Sequence, residues 1–340
     1  MSKTLKIENA DANTDLEIME SFPTERGGHI LVGEAGYFYP ARMREGLQRI
    51  HNLTMRSTDV FVTSFPRSGT TWTQDMVWLI MNDLDFQKSK SIPLTSRYAF
   101  IEFPFYVPSN FVEKLKQNAP DQEQASKLHL ELGSISLEDF EALTGPRFIK
   151  THLPLSILPP DALDVAKFVY IARDPRDVAV SYFHLNKLMS KITGFKGDFK
   201  TFWNLLKQDK IMWSPMFAII KEAWNKRHHA NMLFLFYEEL IEDLPSVVRR
   251  VSKFLDKPYN EEQLQLLYDH LKFDNFSKNS SVQFNAMEKN GLLQEGEKFV
   301  RKGKTGGWRE YFDAEMTQQA QRWIADNLRD TDLRFPTHHS

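Results

Sequence analysis

The segment Phe65-Pro66-Arg67-Ser68-Gly69-Thr70-Thr71-Trp72 constrains this chain more than any other. Before it runs an apolar, β-branched stretch, Asp59-Val60-Phe61-Val62-Thr63-Ser64. After it, Trp72, Met76, Leu79 and Ile80 recur at the spacing of one helix face. The pattern predicts a strand, a tight turn and a helix. Gly69 lets the backbone approach a ligand, and hydroxyls at Ser68, Thr70 and Thr71 stand beside the unpaired N–H groups of a helix start. Such a turn suits a phosphate. A lone Ser-Gly-Thr-Thr turn also occurs in ordinary loops, so the reading rests on what accompanies it.

A second segment has the same logic. The apolar run Lys167-Phe168-Val169-Tyr170-Ile171-Ala172 leads into Arg173-Asp174-Pro175-Arg176-Asp177 and then a helical Val178-Ala179-Val180-Ser181. Asp174 is placed to cap that helix and Pro175 to begin it. Arg173 at the strand end offers a forked grip on phosphate oxygens, and Ser181 lies two turns along. A third segment, Arg301-Lys302-Gly303-Lys304-Thr305-Gly306-Gly307-Trp308, crowds three cations and three glycines together. By itself it reads more readily as a solvated, flexible basic loop. Cations on glycine-rich backbone are also what phosphate recognition uses.

Strand-like runs fall at 58–65, 147–151, 166–172 and 231–237, with helical patterns after the first, third and fourth. Long helical patterns fill 214–229, 245–256 and 313–328. Strands alternating with helices predict an α/β fold: one domain with a central parallel sheet flanked by helices and a P-loop-like phosphate turn. Residues 1–25 are expected to be a flexible extension, 26–340 the domain, and 104–146, rich in Pro and Gly, a candidate lid insertion. Charge gives no bulk attraction to nucleic acid or anionic membrane: 43 basic residues against 45 acidic leave a net −2. The chain has no cysteine, which excludes disulfides, thiol nucleophiles and Cys-ligated zinc. No signal-peptide core or run of about 20 apolar residues is found, so a cytoplasmic protein without membrane contact is expected.

Taken together, the segments resemble the cytosolic sulfotransferase family, whose sulfuryl donor is 3′-phosphoadenosine-5′-phosphosulfate (PAPS). Residues 65–72 agree with the family's Tyr-Pro-Lys-Ser-Gly-Thr-Thr-Trp at six of eight positions. Arg173 with Ser181 matches its second signature, and Arg301 to Trp308 its Arg-Lys-Gly-x-x-Gly-x-Trp. Lys150-Thr151-His152-Leu153-Pro154 matches its Lys-Thr-His-Leu-Pro marker. The match is similar also to the insect branch that includes retinol dehydratase, in which the sulfated alcohol is eliminated.

The resemblance implies roles. Arg67, Ser68, Gly69, Thr70 and Thr71 would hold the 5′-phosphate. Arg173, Ser181, Arg301, Lys302 and Gly303 would hold the 3′-phosphate. Trp72 and Phe273 would take the two faces of the adenine, with Tyr237 at the same end. His152 would be the general base, Lys150 would balance charge on the sulfuryl group, and Arg67 would stabilise the leaving phosphate. Phe100, Phe103, Phe105 and Leu185 would line the pocket for a small hydrophobic alcohol or phenol. PAPS would serve as donor, PAP would be its product, and no metal would be needed.

Three departures stand out. Arg67 replaces the family's Lys, keeping the charge on a bulkier planar group. Leu271-Lys272-Phe273 replaces Thr-Ser-Phe, so two hydroxyls are lost. Arg309, Asp313, Ala314 and Gln318 do not match the family's dimer motif, which leaves the oligomeric state open. Two rival readings remain at this point. A P-loop kinase lacks its Gly-x-x-x-x-Gly-Lys-Ser/Thr loop here. A non-catalytic carrier of nucleotide or lipophile draws support from Arg67, against which stand Lys150 and His152.

Overall fold

The computed structural model describes residues 4–107, 121–123, 125, 128 and 135–336. Much of the candidate lid, 104–146, lies outside the described residues.

The run before the turn forms β4 (Val60–Thr63), and all four of its side chains are buried. A strand buried on both faces reads as a continuous apolar run rather than an alternating one. It sits at the centre of a five-stranded parallel sheet with β5 (Ala99–Phe100), β6 (Phe148–Thr151), β7 (Lys167–Ala172) and β8 (Met232–Phe236), ordered β5-β6-β4-β7-β8. The protein is thus the expected single α/β domain. Alternate residues feed two cores, one per face. Phe61, Phe168 and Tyr170 enter the first, and Val60, Val62, Val169 and Ile171 the second. Phe61 and Phe168 stack with centroids 4.2 Å apart.

The helices follow from pattern and caps. Three will be needed below: α1 (Ala12–Ser21), α2 (Arg44–His51) and α3 (Thr70–Met81). A fourth, α4 (Pro175–Leu188), begins with Pro175 and is capped by Asp174, whose carboxylate accepts the Arg176 N–H. The periodic stretches near residues 214, 245 and 313 form helices Met216–Asn225, Leu244–Phe254 and Ala314–Asn327. No helix among the described residues is long and apolar enough to cross a membrane.

Two features differ from the sequence expectation. Residues 1–25 are not a flexible extension from Leu5 onward. β1 (Ile7–Asn9) pairs with β2 (His29–Val32), which pairs with β3 (Tyr37–Pro40), forming a separate antiparallel sheet. Helix α1 buries Ile18 and is followed by buried Phe22, both in the first core. Only Ile18 and Ser21 are buried on that helix, so its apolar stripe is too sparse to read from the sequence. Strand β5 was also not foreseen, since two residues carry no period.

One buried ion pair ties the sheet's starting edge together. Asp59, at the entry to β4, takes a forked grip from Arg147, at the entry to β6, with contacts of 2.8 and 2.5 Å. Both side chains are essentially inaccessible to solvent, and the Arg147 guanidinium stacks over Phe140. Arg147 also donates to the Thr54 carbonyl, and Asp59 accepts the Arg56 N–H. Removing one partner of such a pair leaves a buried charge uncompensated. Asp59→Ala is expected to lower unfolding free energy by about 3–5 kcal/mol, measured by urea denaturation; a loss below about 1 kcal/mol would show that the pair behaves like a surface one.

Candidate active site

In a parallel sheet every strand ends at the same edge, and ligands gather there. Here the ends of β4, β6, β7 and β8 bring Ser64, His152, Arg173 and Tyr237 to one rim. The turn after β4 is held tightly. Gly69 has φ +109°, and a Cβ on it would lie 2.7 Å from the Tyr237 ring. Arg67 also adopts positive φ, at 70°. The Ser64 and Thr70 hydroxyls bond at 2.7 Å across the turn, and α3 starts at Thr70. The Ser68 hydroxyl is buried without a hydrogen-bond partner.

Arg67, Gly69, Thr70, Thr71 and Trp72 line one cleft with Lys150, His152, Arg173, Ser181, Tyr237 and Phe273. Arg301, Lys302 and Gly303 close it from the third loop. The three sequence segments therefore converge on a single cavity. Arg67 reaches across it, donating from Nε to the Ser181 hydroxyl at 3.1 Å and from Nη2 to the Phe299 carbonyl at 2.8 Å. Withdrawal from water, then the charges of Arg173 and Arg301, lower its proton affinity below that of an ordinary guanidinium. Arg173 packs 4.2 Å over the Tyr237 ring and donates to the Arg67 and Lys304 carbonyls, and its Nε is buried without a partner. Cations crowded together beside unmet donors are a site made for a multiply charged anion. Lys302 and Lys304 are each paired with Glu310, at 2.5 and 2.6 Å.

Sequence reasoning passed over what holds the third loop in place. Asp177, one turn into α4, accepts the Gly306 and Trp308 N–H groups at 2.7 and 3.0 Å. Glu238 is buried behind Arg173, where its carboxylate accepts the Asp174 N–H and burial raises its pKa to about 7. No local pattern marks either residue, because their partners are over 60 positions away.

The two rings at the aromatic end are tilted against each other. Trp72 and Phe273 do not form parallel walls. Their centroids are 6.1 Å apart with planes at 73°. Trp72 is turned by its indole N–H, which donates to the Leu271 carbonyl at 2.8 Å, and by stacking on Phe276. Phe273 lies flat against Gly303, where a Cβ would overlap the ring. A flat base would meet the face of one ring and the edge of the other. The Leu271 contact is through its backbone, consistent with the hydroxyls missing from this segment.

His152 follows β6 directly, two residues after Lys150, and both face the cleft. Its Nδ1 is 2.8 Å from the Ser64 carbonyl. A carbonyl only accepts, so Nδ1 carries the proton and Nε2 keeps its lone pair. Burial, then the nearby charge of Lys150, holds the imidazole well below the usual histidine range, so it is neutral at pH 7. Lys150 lies 3.9 Å over the Phe100 ring, and burial pushes its pKa down to about 8. Glu102 went unnoticed in the sequence. It accepts the His152 backbone N–H at 2.6 Å, and burial pushes its pKa up to about 7.

The four acceptor candidates separate. Leu185 lines the cleft, and Phe100 stands edge-on to His152 at 5.5 Å while lining a neighbouring small cavity. Phe103 is 5.4 Å from Phe100 and packs against the same small apolar cluster as Leu185. Phe105 does not join them. Its ring is pressed against Gly46 of α2 and under the Arg49 guanidinium. Phe103 and Phe105 lie on one short helical turn, Phe103–Tyr106, so alternate residues cannot share a face as they would on a strand.

The sulfotransferase domain family matches residues 57–332. The chain belongs to the sulfotransferase family. It is an enzyme of the PAPS-dependent class, as the three segments implied. Among curated relatives it is 32% identical to luciferin sulfotransferase of Photinus pyralis over 337 residues, covering 96% of this chain and 86% of that protein. It is 29% identical to Sulfotransferase 1B1 of Mus musculus, over 85% of this chain and 89% of that one. Among solved structures, retinol dehydratase in complex with androsterone and PAP superposes with TM-score 0.90 at 41% identity, covering 99% of both chains. Retinol dehydratase with retinol and PAP matches at 40%, with the same TM-score.

The geometry of the turn in this sulfotransferase yields a test. Gly69→Ala adds a side chain at positive φ against Tyr237, which also supports Arg173. Affinity for PAP is expected to fall at least tenfold (~1.4 kcal/mol or more) in calorimetric titration; an unchanged affinity would mean that the turn does not touch the nucleotide.

Proposed function

We propose that this protein transfers the sulfuryl group of PAPS to the hydroxyl of a small hydrophobic alcohol or phenol. PAPS would supply the activated sulfuryl group. The unpartnered Nε of Arg173, among the cations of the cleft, and the buried Ser68 hydroxyl in the turn beside it support phosphate binding. The observation that carries the reading is His152, neutral, with its proton fixed on Nδ1 and Nε2 free beside Lys150. Nε2 takes the acceptor's hydroxyl proton as the oxygen–sulfur bond forms and the sulfur–phosphate oxygen bond breaks. The products are a sulfate ester and PAP. Lys150 and Arg67 place positive charge where the sulfuryl oxygens and the departing phosphate gain negative charge, which stabilises the transition state more than the ground state. The complexes of retinol dehydratase with retinol and with androsterone support an apolar alcohol as acceptor here. Membership of the cytosolic sulfotransferase family supports a cytoplasmic location.

A second reading draws on the 41% identity to retinol dehydratase. Here the sulfate ester is a transient intermediate and leaves by elimination. Mass analysis of the product separates the two: a sulfated acceptor supports transfer, and an acceptor lighter by one water supports elimination.

His152→Ala is expected to bind PAP normally and to lose ~10²–10⁴-fold in turnover. The pH dependence of kcat/KM for PAPS reports the free enzyme. The active imidazole is neutral and its pKa is depressed, so the acid limb lies below pH 6.5. The active ammonium is charged and its pKa is near 8, so activity falls as pH rises through about 8. An acid limb above pH 6.5 would count against His152 as base. Arg67→Ala should lose turnover at least tenfold (~1.4 kcal/mol) while Arg67→Lys retains it. Full turnover in Arg67→Ala would leave Lys150 to stabilise the leaving group alone.

A further inference from the structure

The short helical turn Phe273–Phe276 stands between two spaces. Phe273 and Phe276 line the cleft of the candidate site. Asn275, with Lys278 and Asn279 just beyond it, instead lines a solvent-open groove of about 660 Å³. Two helices make the rest of that groove. Phe86 and Lys90, four positions apart, share a face of Phe86–Ser91. Leu266, Asp269 and His270 share a face of Glu261–Leu271. Among the described residues the two linings have no member in common. The groove is large enough for a small molecule, and the proposed reaction does not use it.

The chemistry of the groove is divided. Leu266 is 60% exposed, and the Phe86 ring lies 5.2 Å from the His270 ring, so one part is apolar. Lys90 and Lys278 are exposed, and among the described residues neither pairs with a carboxylate. The one acid in the lining, Asp269, is engaged by Lys272 at 2.7 Å and by Gln265 at 3.3 Å. Asn279 is buried, its Oδ1 accepts the Ser281 N–H, and its Nδ2 has no partner. A buried donor left unmet costs free energy that an oxygen in the groove would recover. The groove is also wired to the cleft from behind. His270 Nε2 is 2.9 Å from the Asp75 carboxylate on α3, the helix that starts at the phosphate turn. Arg97 bridges the same carboxylate, at 2.8 Å, to the Ser281 hydroxyl, at 3.3 Å.

We propose that this groove binds an amphiphilic carboxylate, its charged end at Lys90, Lys278 and the Asn279 amide and its apolar body over Leu266 and Phe86. Two cations beside the Asp269 carboxylate suit a single negative charge rather than a dianion. An occupant fixes the outer side of residues 272–281, whose inner side carries Phe273 and Phe276, and so favours the nucleotide. The coupling is reciprocal: the factor by which the carboxylate tightens PAP is the factor by which PAP tightens the carboxylate. The site does not rest on the proposed function, because it is read out in nucleotide affinity and not in turnover.

Octanoate is the probe. Calorimetry measures its dissociation constant on PAP-free and PAP-loaded protein, and that of PAP with and without saturating octanoate. Octanoate should tighten PAP at least roughly fivefold, and PAP should tighten octanoate by the same factor. Acetate, with the charge and no chain, should bind too weakly to measure at the same concentrations. The double variant Lys90→Gln, Lys278→Gln removes both charges without reversing them. It should weaken octanoate roughly tenfold and leave PAP affinity unchanged when octanoate is absent, which also shows that the variant is folded. Octanoate that binds the double variant as tightly as wild type sits elsewhere, the acceptor pocket included, and overturns the site. Acetate binding as well as octanoate would overturn the amphiphilic class. Octanoate binding that depends on the two lysines but leaves PAP affinity unmoved would keep the site and overturn the coupling.

Discussion

The buried pair between Asp59 and Arg147 is the constraint on which the site depends. It joins the entries of β4 and β6, and the parallel register that follows sets Val62 against Lys150 and Thr63 against Thr151. A register slip of one residue would turn Lys150 to the other face of the sheet. With the register set, the end of β6 arrives beside the turn after β4, and the His152 ring meets the Ser64 carbonyl. A salt bridge at one edge of the sheet thus decides the tautomer of the candidate base at the other. Its strength as a constraint comes from burial, because neither charge has water to fall back on.

The cleft is assembled against an electrostatic cost. Arg67, Arg173, Arg301 and Lys150 converge in a partly dry space, and two of them, Arg67 and Lys150, show depressed proton affinity as a result. A folded protein tolerates this where an anion completes the site. Until then carbonyls stand in, Phe299 for Arg67 and those of residues 67 and 304 for Arg173. The same dryness keeps His152 neutral. Exclusion of water disfavours the charged form of all three groups: it leaves His152 neutral, and for Arg67 and Lys150 it is a cost that a bound anion would offset.

Much of this was legible beforehand. The turn at 65–72, the Arg173 strand end, the Asp174 cap and the 301–308 loop are each contiguous in sequence, and local geometry follows from local residues. Their convergence followed from parallel topology, which places all strand ends on one rim. Glu102, Asp177, Glu238 and Trp213 were not legible, since each acts through a partner 50 or more positions away. Phe105 was misplaced because a single helical turn, not a strand, carries it. The tilt between Trp72 and Phe273 was not legible because the plane of Trp72 is set by the Leu271 carbonyl, 199 residues on.

By itself the sequence determined the kinds of element and the chemical groups at their ends, because backbone propensity, capping and glycine conformations act within a few residues. Tertiary structure alone decided protonation, orientation and what packs against His152. These depend on burial and on which distant carbonyl or ring comes within reach. Ile18 shows the difference: in sequence it is one apolar residue on a weak helix, and in the fold it is buried with Phe22 in the first core.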